Sequence, residues 1–378
     1  MSLGYHKMLR LLTGLTAVAL LMCSCTEPPI REVRQVIREY QHAYAPDSRL
    51  EVWDLSFSIR NNTCILTGET TSLTGARELI ASLSEQFPGY EIRDSITVLP
   101  DPALGERIDG IIRTGVANVR RNPSHQAELI TQTVLGSTVS LLKEAEGFFF
   151  CRLEDDYLGW IAQPSVHAVT DTALNSWRTA PLLVYREKYG TIYQEPDPSS
   201  YPVSDIVLSS RVRRISEPQP RVEVQLPDGR TGYVLRDEMM EIQRFRDLQP
   251  DPEQLTHMAK QMLGIPYLWG GTSIKGFDCS GFTQTLYKMN GVELPRDANM
   301  QAEMGTAVDT ADAFANLRSG DLLFFGPSPD RIIHVGMYLG DGRFIHESGM
   351  VKINSLIPEA RDYNASRART LRTVKRVF

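Results

Sequence analysis

The sequence predicts a multidomain protein in which an α+β domain with a reactive cysteine follows two small β-barrels and a small α/β N-terminal module. Three observations lead there. At 378 residues the chain is too long for one ordinary domain. Its texture changes along its length, from amphipathic helices with alternating strands, to two blocks of short β segments, to a mixed helix-and-strand region. In that last region a cysteine opens an apolar-periodic helix behind a glycine-rich loop. With 23% charged and 42% hydrophobic residues the composition is globular, which excludes disordered and fibrous classes. A net charge of −6 (40 basic against 46 acidic residues) lacks the basic footprint of a nucleic-acid binder. Five cysteines are too few to staple so long a chain.

The first two dozen residues read as a targeting segment. Lys7 and Arg10 lead into an apolar run over 11–22, too short to span a bilayer and suited to a signal-peptide core. It ends in Met22-Cys23-Ser24-Cys25, which resembles a bacterial lipoprotein signal, with small Ser24 favouring cleavage before Cys25. The resemblance implies removal of 1–24, lipidation of Cys25, and an exported protein anchored at the cell envelope on the periplasmic side. The alternative is plain secretion. Loss of Lys7 and Arg10 takes the net charge from −6 to −8.

Residues 25–105 form the first module. Val33, Val36, Ile37, Tyr40 and Tyr44 recur at helical spacing before Pro46. Trp53, Leu55, Phe57 and Ile59 alternate with polar residues as in a half-buried strand, Asn61-Asn62 turns the chain, and Cys64-Ile65-Leu66 returns. A second helix carries Ala76, Leu79, Ile80, Leu83 and Phe87, and Ile92, Ile96 and Val98 a further strand. This αββαβ order weakly resembles a BON domain, through Cys64-Ile65-Leu66-Thr67-Gly68-Glu69, and reads as a docking or spacer module. Over 109–168 short β segments follow at 111–119, 129–135, 139–142, 148–153 and 159–162, the number a small barrel needs. Over 178–245 the texture repeats, at 182–185, 206–215, 222–226 and 232–235, and Gly159-Trp160-Ile161 is matched by Gly232-Tyr233-Val234. Both blocks resemble bacterial SH3-like domains.

The last domain covers 250–378. Leu255, Met258, Ala259 and Met262 form a helical stripe between Pro252 and Gly264. Phe282, Leu286 and Met289 then predict a helix running to Asn290-Gly291, with Cys279 in its first turn and Asp278 as N-cap. Unpaired N–H groups and the helix dipole stabilise a thiolate there, and a nearby imidazolium lowers such a thiol to a pKa of roughly 3.5–7.5. The segment 332–339 predicts a strand with His334 in its middle, and 343–347 a returning strand with His346. A three-residue loop, Gly340-Asp341-Gly342, sets His334 across from Ser348 and His346 across from Gly336, so the two imidazoles share a face. A two-residue Asp341-Gly342 turn would separate them. On the favoured register Cys279, His334 and His346 are nucleophile, base and orienter. The same three residues contain no close pair of the kind zinc sites use, so no metal is expected.

A lone cysteine at a helix start is more often a buried small side chain, and a lone strand histidine a satisfied core residue. The combination carries more weight. Pro266-Tyr267-Leu268-Trp269-Gly270-Gly271, Phe277-Asp278-Cys279-Ser280-Gly281-Phe282, Leu294-Pro295-Arg296-Asp297-Ala298, Gly320-Asp321-Leu322-Leu323-Phe324-Phe325, His334-Val335-Gly336-Met337-Tyr338 and Phe344-Ile345-His346-Glu347-Ser348 together resemble the NlpC/p60 family of papain-like cell-wall cysteine peptidases. The resemblance implies Cys279 as nucleophile, His334 as base and His346 as third polar residue. It also implies Tyr267 over the reacting carbonyl, with the Cys279 N–H and the Tyr267 hydroxyl as oxyanion donors. The layout resembles members with two SH3-like domains. These cleave the γ-D-glutamyl bond to a diamino acid (diaminopimelate or lysine) in peptidoglycan stem peptides, often after a free N-terminal L-alanine. By that resemblance Tyr157 and Glu128 of the first barrel join Trp269, Asp278 and Ser280 in the substrate pocket. The expected partners are muropeptides and, through the anchor, a membrane; the protein is expected to act as a monomer without a cofactor. Amidase or acyl-transfer chemistry on the same fold, or an inactive wall-binding lipoprotein, are the alternatives. Cys64 and Cys151 are expected as buried free thiols.

Overall fold

The computed structural model describes residues 29–310 and 314–378, so the expected signal segment and Cys25 lie outside the described residues. Among those described, no helix is long and apolar enough to cross a membrane.

The N-terminal module has the αββαβ order that its periodicities predict. Helices Ile30–Tyr44 and Leu73–Gln86 pack against a sheet ordered Trp53–Arg60, Thr63–Thr70, Glu91–Val98, the first pair antiparallel and the second parallel. The first helix stops at Tyr44, short of Pro46, because the residue before a proline is driven out of the α region. Cys64 is a free thiol buried with Val33, Leu66 and Leu79, and Cys151 is a free thiol in the core of the first barrel.

Each barrel is a seven-stranded antiparallel sheet. The first contains Asp109–Ile112, Val116–Arg120, Leu129–Val134, Thr138–Ala145, Phe148–Arg152, Leu158–Ala162 and Val166–Val169. The second contains Leu182–Tyr185, Tyr189–Tyr193, Pro202–Val207, Arg211–Ser216, Arg221–Gln225, Thr231–Leu235 and Met239–Glu241. Two segments expected as single strands are each two. The run 111–119 breaks at Arg113-Thr114-Gly115, and 206–215 breaks where Ser209 takes a positive φ of 70°. Both turns carry polar signals, Arg113-Thr114-Gly115 and Ser209-Ser210, which the apolar residues on either side outweighed when each run was read as one strand. A helix, Asp171–Arg178, joins the barrels; Thr170 caps it by accepting from the Ala173 N–H, and Leu174 and Trp177 bury against Ile111 and Leu182.

In the last domain, helix Pro252–Gln261 and helix Cys279–Lys288 pack on a six-stranded antiparallel sheet. Its order is Thr306–Ala307, Leu371–Arg376, Leu322–Phe325, His334–Gly340, Arg343–Glu347, Val351–Ser355. Phe282, Leu286 and Tyr287 from the second helix meet Val335, Met337 and Ile345 from the sheet, all fully buried. The helix ends at Lys288, just short of Asn290-Gly291, and the strand begins at His334 instead of centring on it.

The hairpin that carries the histidines departs from expectation in an instructive way. The turn is the two-residue one: Gly340 pairs with Arg343, leaving Asp341 (φ 50°) and Gly342 (φ 70°) as a positive-φ pair like that of a type I′ turn. Alone it would put the imidazoles on opposite faces. A bulge between Tyr338 and Gly340 inserts one residue and restores the register, so Met337 pairs with Ile345 and Tyr338 with Phe344. His346 therefore lies against Gly336, where an added Cβ would sit 3.0 Å from the His346 Cβ. Gly340 takes the bulge at φ +106°, a conformation open to glycine.

Candidate active site

Cys279 is the first residue of its helix. Asp278 caps it in extended backbone (φ −95°, ψ −178°), with its carboxylate accepting from the Gly281 N–H at 2.8 Å. The thiol is only 9% exposed. It opens into a cleft of about 330 Å³ lined also by Tyr267, Ile333, His334, Glu347 and Arg367. A larger cavity of about 620 Å³ lies between the barrels and the far part of this helix, along Gln284, Thr285 and Lys288, and does not include the thiol. Size alone would select the wrong place; the chemistry lies in the smaller cleft.

The imidazoles form a relay whose proton positions can be deduced. His334 Nε2 lies 2.8 Å from His346 Nδ1 with the rings perpendicular, and His346 Nε2 lies 2.9 Å from Asn354 Oδ1. The Asn354 amide is oriented by its Nδ2, which donates to the Asp362 carbonyl at 3.1 Å, while Oδ1 also accepts from Asn364 Nδ2 at 3.2 Å. Oδ1 is therefore an acceptor and His346 Nε2 must donate to it. A neutral His346 then accepts at Nδ1, so His334 donates from Nε2 and its Nδ1 is bare, ready to take a proton. Asn354 is on the same face as His346 by ladder parity, since Phe344 pairs with Asn354.

The charge state differs from the sequence-based expectation. Burial pushes the Cys279 thiol up to about 11, with the Asp278 charge adding to the rise. The Val335 N–H, the Arg296 charge and the Ser280 N–H oppose it without overcoming it. His334 is held well below the ordinary imidazole value, by burial first and then by the charges of Arg367, His346 and Lys352; His346 falls to about 4, chiefly by burial. In this closed cleft the cost of desolvating an ion pair exceeds what one helix terminus returns. The arrangement therefore favours a neutral thiol beside a neutral base.

Tyr267 stands on the other wall of the cleft, its backbone N–H bound to the Gly349 carbonyl at 3.0 Å and its hydroxyl pushed up to about 12 by burial and the neighbouring Cys279. Trp269, which could equally have been core, is 61% exposed and donates from Nε1 to Glu128 of the first barrel at 2.9 Å. Arg121, first, and then Trp269 hold the Glu128 carboxyl below its ordinary range, and Arg121 approaches to 2.6 Å. Gly270 makes this approach possible: at φ +76° any Cβ would meet the Leu129 carbonyl at 2.4 Å. Tyr157 is buried, and its hydroxyl donates to Asp297 at 3.0 Å; Arg49 of the N-terminal module reaches the same carboxylate at 2.6 Å.

Asp278 and Ser280 are drawn into a buried cluster instead of facing open cleft. Asp278 accepts from Arg296 at 2.5 Å and from the Gly270 N–H at 3.0 Å; Arg296 also reaches Ser280 at 3.0 Å and Thr131 of the first barrel at 2.9 Å. Removing one partner of such a buried pair costs roughly 3–5 kcal/mol. Sequence reasoning assigned no role to Asn354, Arg296 or Asp297. For the last two a signal was present, Leu294-Pro295-Arg296-Asp297-Ala298; for Asn354 it was parity along the last strand.

Comparison with known proteins identifies the family and the fold. The NlpC/P60 family model matches residues 264–369, and a model described as the bacterial dipeptidyl-peptidase Sh3 domain matches 119–165. A γ-D-glutamyl-L-lysine dipeptidyl-peptidase from Bacillus cereus is 30% identical over 242 residues, covering 61% of this chain and 71% of the relative. The chain belongs to the NlpC/P60 family. Dipeptidyl-peptidase 6 of Lysinibacillus sphaericus is 28% identical over 72% of this chain and its own entire length. The crystal structure of an NlpC/P60 family protein from B. cereus covers 71% of this chain and 99% of its own, with TM-score 0.63 at 23% identity, and so shares the fold. This NlpC/P60 protein is a cell-wall peptidase, a peptidoglycan hydrolase with an SH3-like domain ahead of its catalytic domain.

Proposed function

We propose that this peptidase hydrolyses the bond between the γ-carboxyl of D-glutamate and the following diamino acid in stem peptides that begin with a free L-alanine. Cys279 Sγ attacks the γ-carbonyl as His334 Nδ1 takes the thiol proton. The imidazolium formed is shared with His346 and, through it, Asn354. Charge on the carbonyl oxygen meets the Cys279 N–H, which has no acceptor within its helix, and the Tyr267 hydroxyl. His334 then protonates the leaving amine, and water releases the thioester by the same route in reverse.

The observation that carries this reading is the wall built by the first barrel. Glu128 accepts from Trp269, two residues along the chain from Tyr267 on the cleft wall, and Tyr157 donates to Asp297; we read this wall as the acyl side of the thiol. On this reading a short acyl group places its cationic amine against Glu128, and an N-acylated stem is rejected. The relatives whose names specify dipeptidyl-peptidase activity point the same way. Mass spectrometry of L-Ala-γ-D-Glu-diaminopimelate and its N-acetyl form, with wild type and Cys279→Ala, tests it. The expected result is release of L-Ala-D-Glu from the free-amine peptide by wild type alone; cleavage of both forms at equal rates would overturn the requirement for free alanine. We propose further that the protein is exported and lipid-anchored through Cys25. Detergent-phase partitioning that Cys25→Ser abolishes is the expected result.

A further inference from the structure

The other end of the cleft carries two ionisable groups without hydrogen-bond or ion-pair partners among the described residues: a guanidinium, and a carboxyl that burial pushes up to about 7. Arg367 lies on its wall, and its positive charge reaches Cys279, His334 and His346. Among the described residues its guanidinium has neither an ion pair nor a hydrogen bond; it rests over the Phe325 ring at 5.6 Å. Glu347 lines the same cleft, fully buried, and neither carboxyl oxygen has a hydrogen-bond partner. The two do not pair with each other. Buried polar groups are nearly always satisfied, so an orphaned carboxyl opposite an unpaired guanidinium needs an explanation.

Their position says which part of the substrate they meet. A base that takes the thiol proton returns it to the leaving amine, so the leaving group lies at the imidazole. Phe325 packs against His334 at 5.7 Å between ring centroids, and Arg367 lies over the same ring. Arg367 is thus on the leaving-group side, away from the wall formed by the first barrel.

Resting on the γ-D-glutamyl reading above, we propose that Arg367 and Glu347 form a receptor for a zwitterion: the far end of diaminopimelate, whose side chain terminates in an ammonium and a carboxylate on one carbon. Lysine presents the ammonium at the same carbon and lacks the carboxylate. Glu347 meets the ammonium common to both residues; Arg367 meets the carboxylate that only diaminopimelate has. The site therefore selects diaminopimelate over lysine.

The test compares L-Ala-γ-D-Glu-diaminopimelate with L-Ala-γ-D-Glu-L-Lys, both with the main-chain carboxyl amidated, so that the side-chain carboxylate is the sole difference. A charge-assisted hydrogen bond predicts a wild-type preference in kcat/KM of about 10- to 100-fold for the diaminopimelate peptide. Arg367→Gln is expected to bring that ratio to about one by lowering the diaminopimelate arm alone, and Arg367→Lys to restore part of it. Glu347→Gln is expected to lower both arms alike. Equal wild-type rates, or an equal loss on both peptides in Arg367→Gln, would overturn the proposal. So would a loss in Arg367→Gln seen only when the main-chain carboxyl of the diaminopimelate peptide is left free, which would transfer Arg367 to that group. Unchanged rates in Glu347→Gln would overturn the ammonium half. Calorimetric titration of Cys279→Ala protein with free diaminopimelate and free lysine reads the site independently of cleavage. If neither peptide is cut, the γ-D-glutamyl reading fails, and preferential, Arg367-dependent binding of diaminopimelate still decides this one.

Discussion

The two barrels share a strand count and a sequence texture, yet they meet the catalytic domain through different chemistry. The first presents polar groups to the catalytic domain: Glu128 to Trp269, Thr131 to Arg296, and Gln132 to the Thr272 N–H and Ser273 hydroxyl at 3.2 and 2.9 Å. The second places Val184 and Leu208 inside the apolar core that also holds Phe282 and Leu286. Directional contacts next to a reacting group select geometry, whereas apolar burial is non-directional and adds stability. One fold thus serves as part of a binding wall and as a buttress. Glu154 of the first barrel ties the two roles together, bound to Arg211 of the second barrel at 2.6 Å and to Lys288 of the nucleophile helix at 3.4 Å.

The comparison yields predictions of decreasing size. Cys279→Ala is expected to lower turnover by about 10⁴-fold or more while leaving thermal unfolding nearly unchanged, because the chemistry resides in the catalytic domain and not in either barrel. Leu208→Ala in the second barrel is expected to cost about 2–5 kcal/mol in urea unfolding with kcat/KM per folded molecule intact. A fall in selectivity there would erase the distinction between the barrels. Glu128→Gln in the first barrel should do the opposite, with kcat/KM on free-amine peptides falling about 10- to 100-fold and little change in stability, since an exposed ion pair contributes little.

Asn354→Ala removes the group that sets the His346 tautomer, and a kcat reduced about 10-fold or more at unchanged KM is expected from steady-state kinetics. The smallest effect is with pH. His334 is depressed, so the base stays neutral as pH falls below 6.5, and the raised thiol stays protonated as pH rises above neutral. In Glu347→Gln, which removes the cleft carboxyl that burial pushes up to about 7, kcat/KM should change by less than about twofold between pH 7.5 and 6. An acid limb with an apparent pKa near 6.5 would instead show an ordinary, solvated imidazole.

Legibility from sequence followed the range of each signal. The helix start at Cys279 and its Asp278 cap rest on spacings of a few residues and could be read directly. The facing imidazoles were also legible, although by compensation: the shorter turn and the bulge at Leu339 cancel, so the pairing register matched while the loop did not. Strand breaks at Gly115 and Ser209 carried polar signals, Arg113-Thr114-Gly115 and Ser209-Ser210, but two or three polar residues inside a longer apolar run do not distinguish a turn from the exposed positions of one strand. Trp269 was ambiguous between core and cleft, since its exposure depends on a barrel some 141 residues away in the chain.

By itself the sequence determined the local devices: the order Cys279, His334, His346, a cysteine at a helix N-terminus, and the parity that puts two imidazoles on one face. These follow from helical and strand periods, which act over a few residues. Only the tertiary structure decided that burial raises the Cys279 thiol and lowers the His334 imidazole, that Asp278 is spent on Arg296, that Glu128 engages Trp269, and that Arg367 and Glu347 stand unpaired in the cleft. Desolvation and Coulomb energy sum over every neighbour in space, and most of those neighbours are far away in the chain.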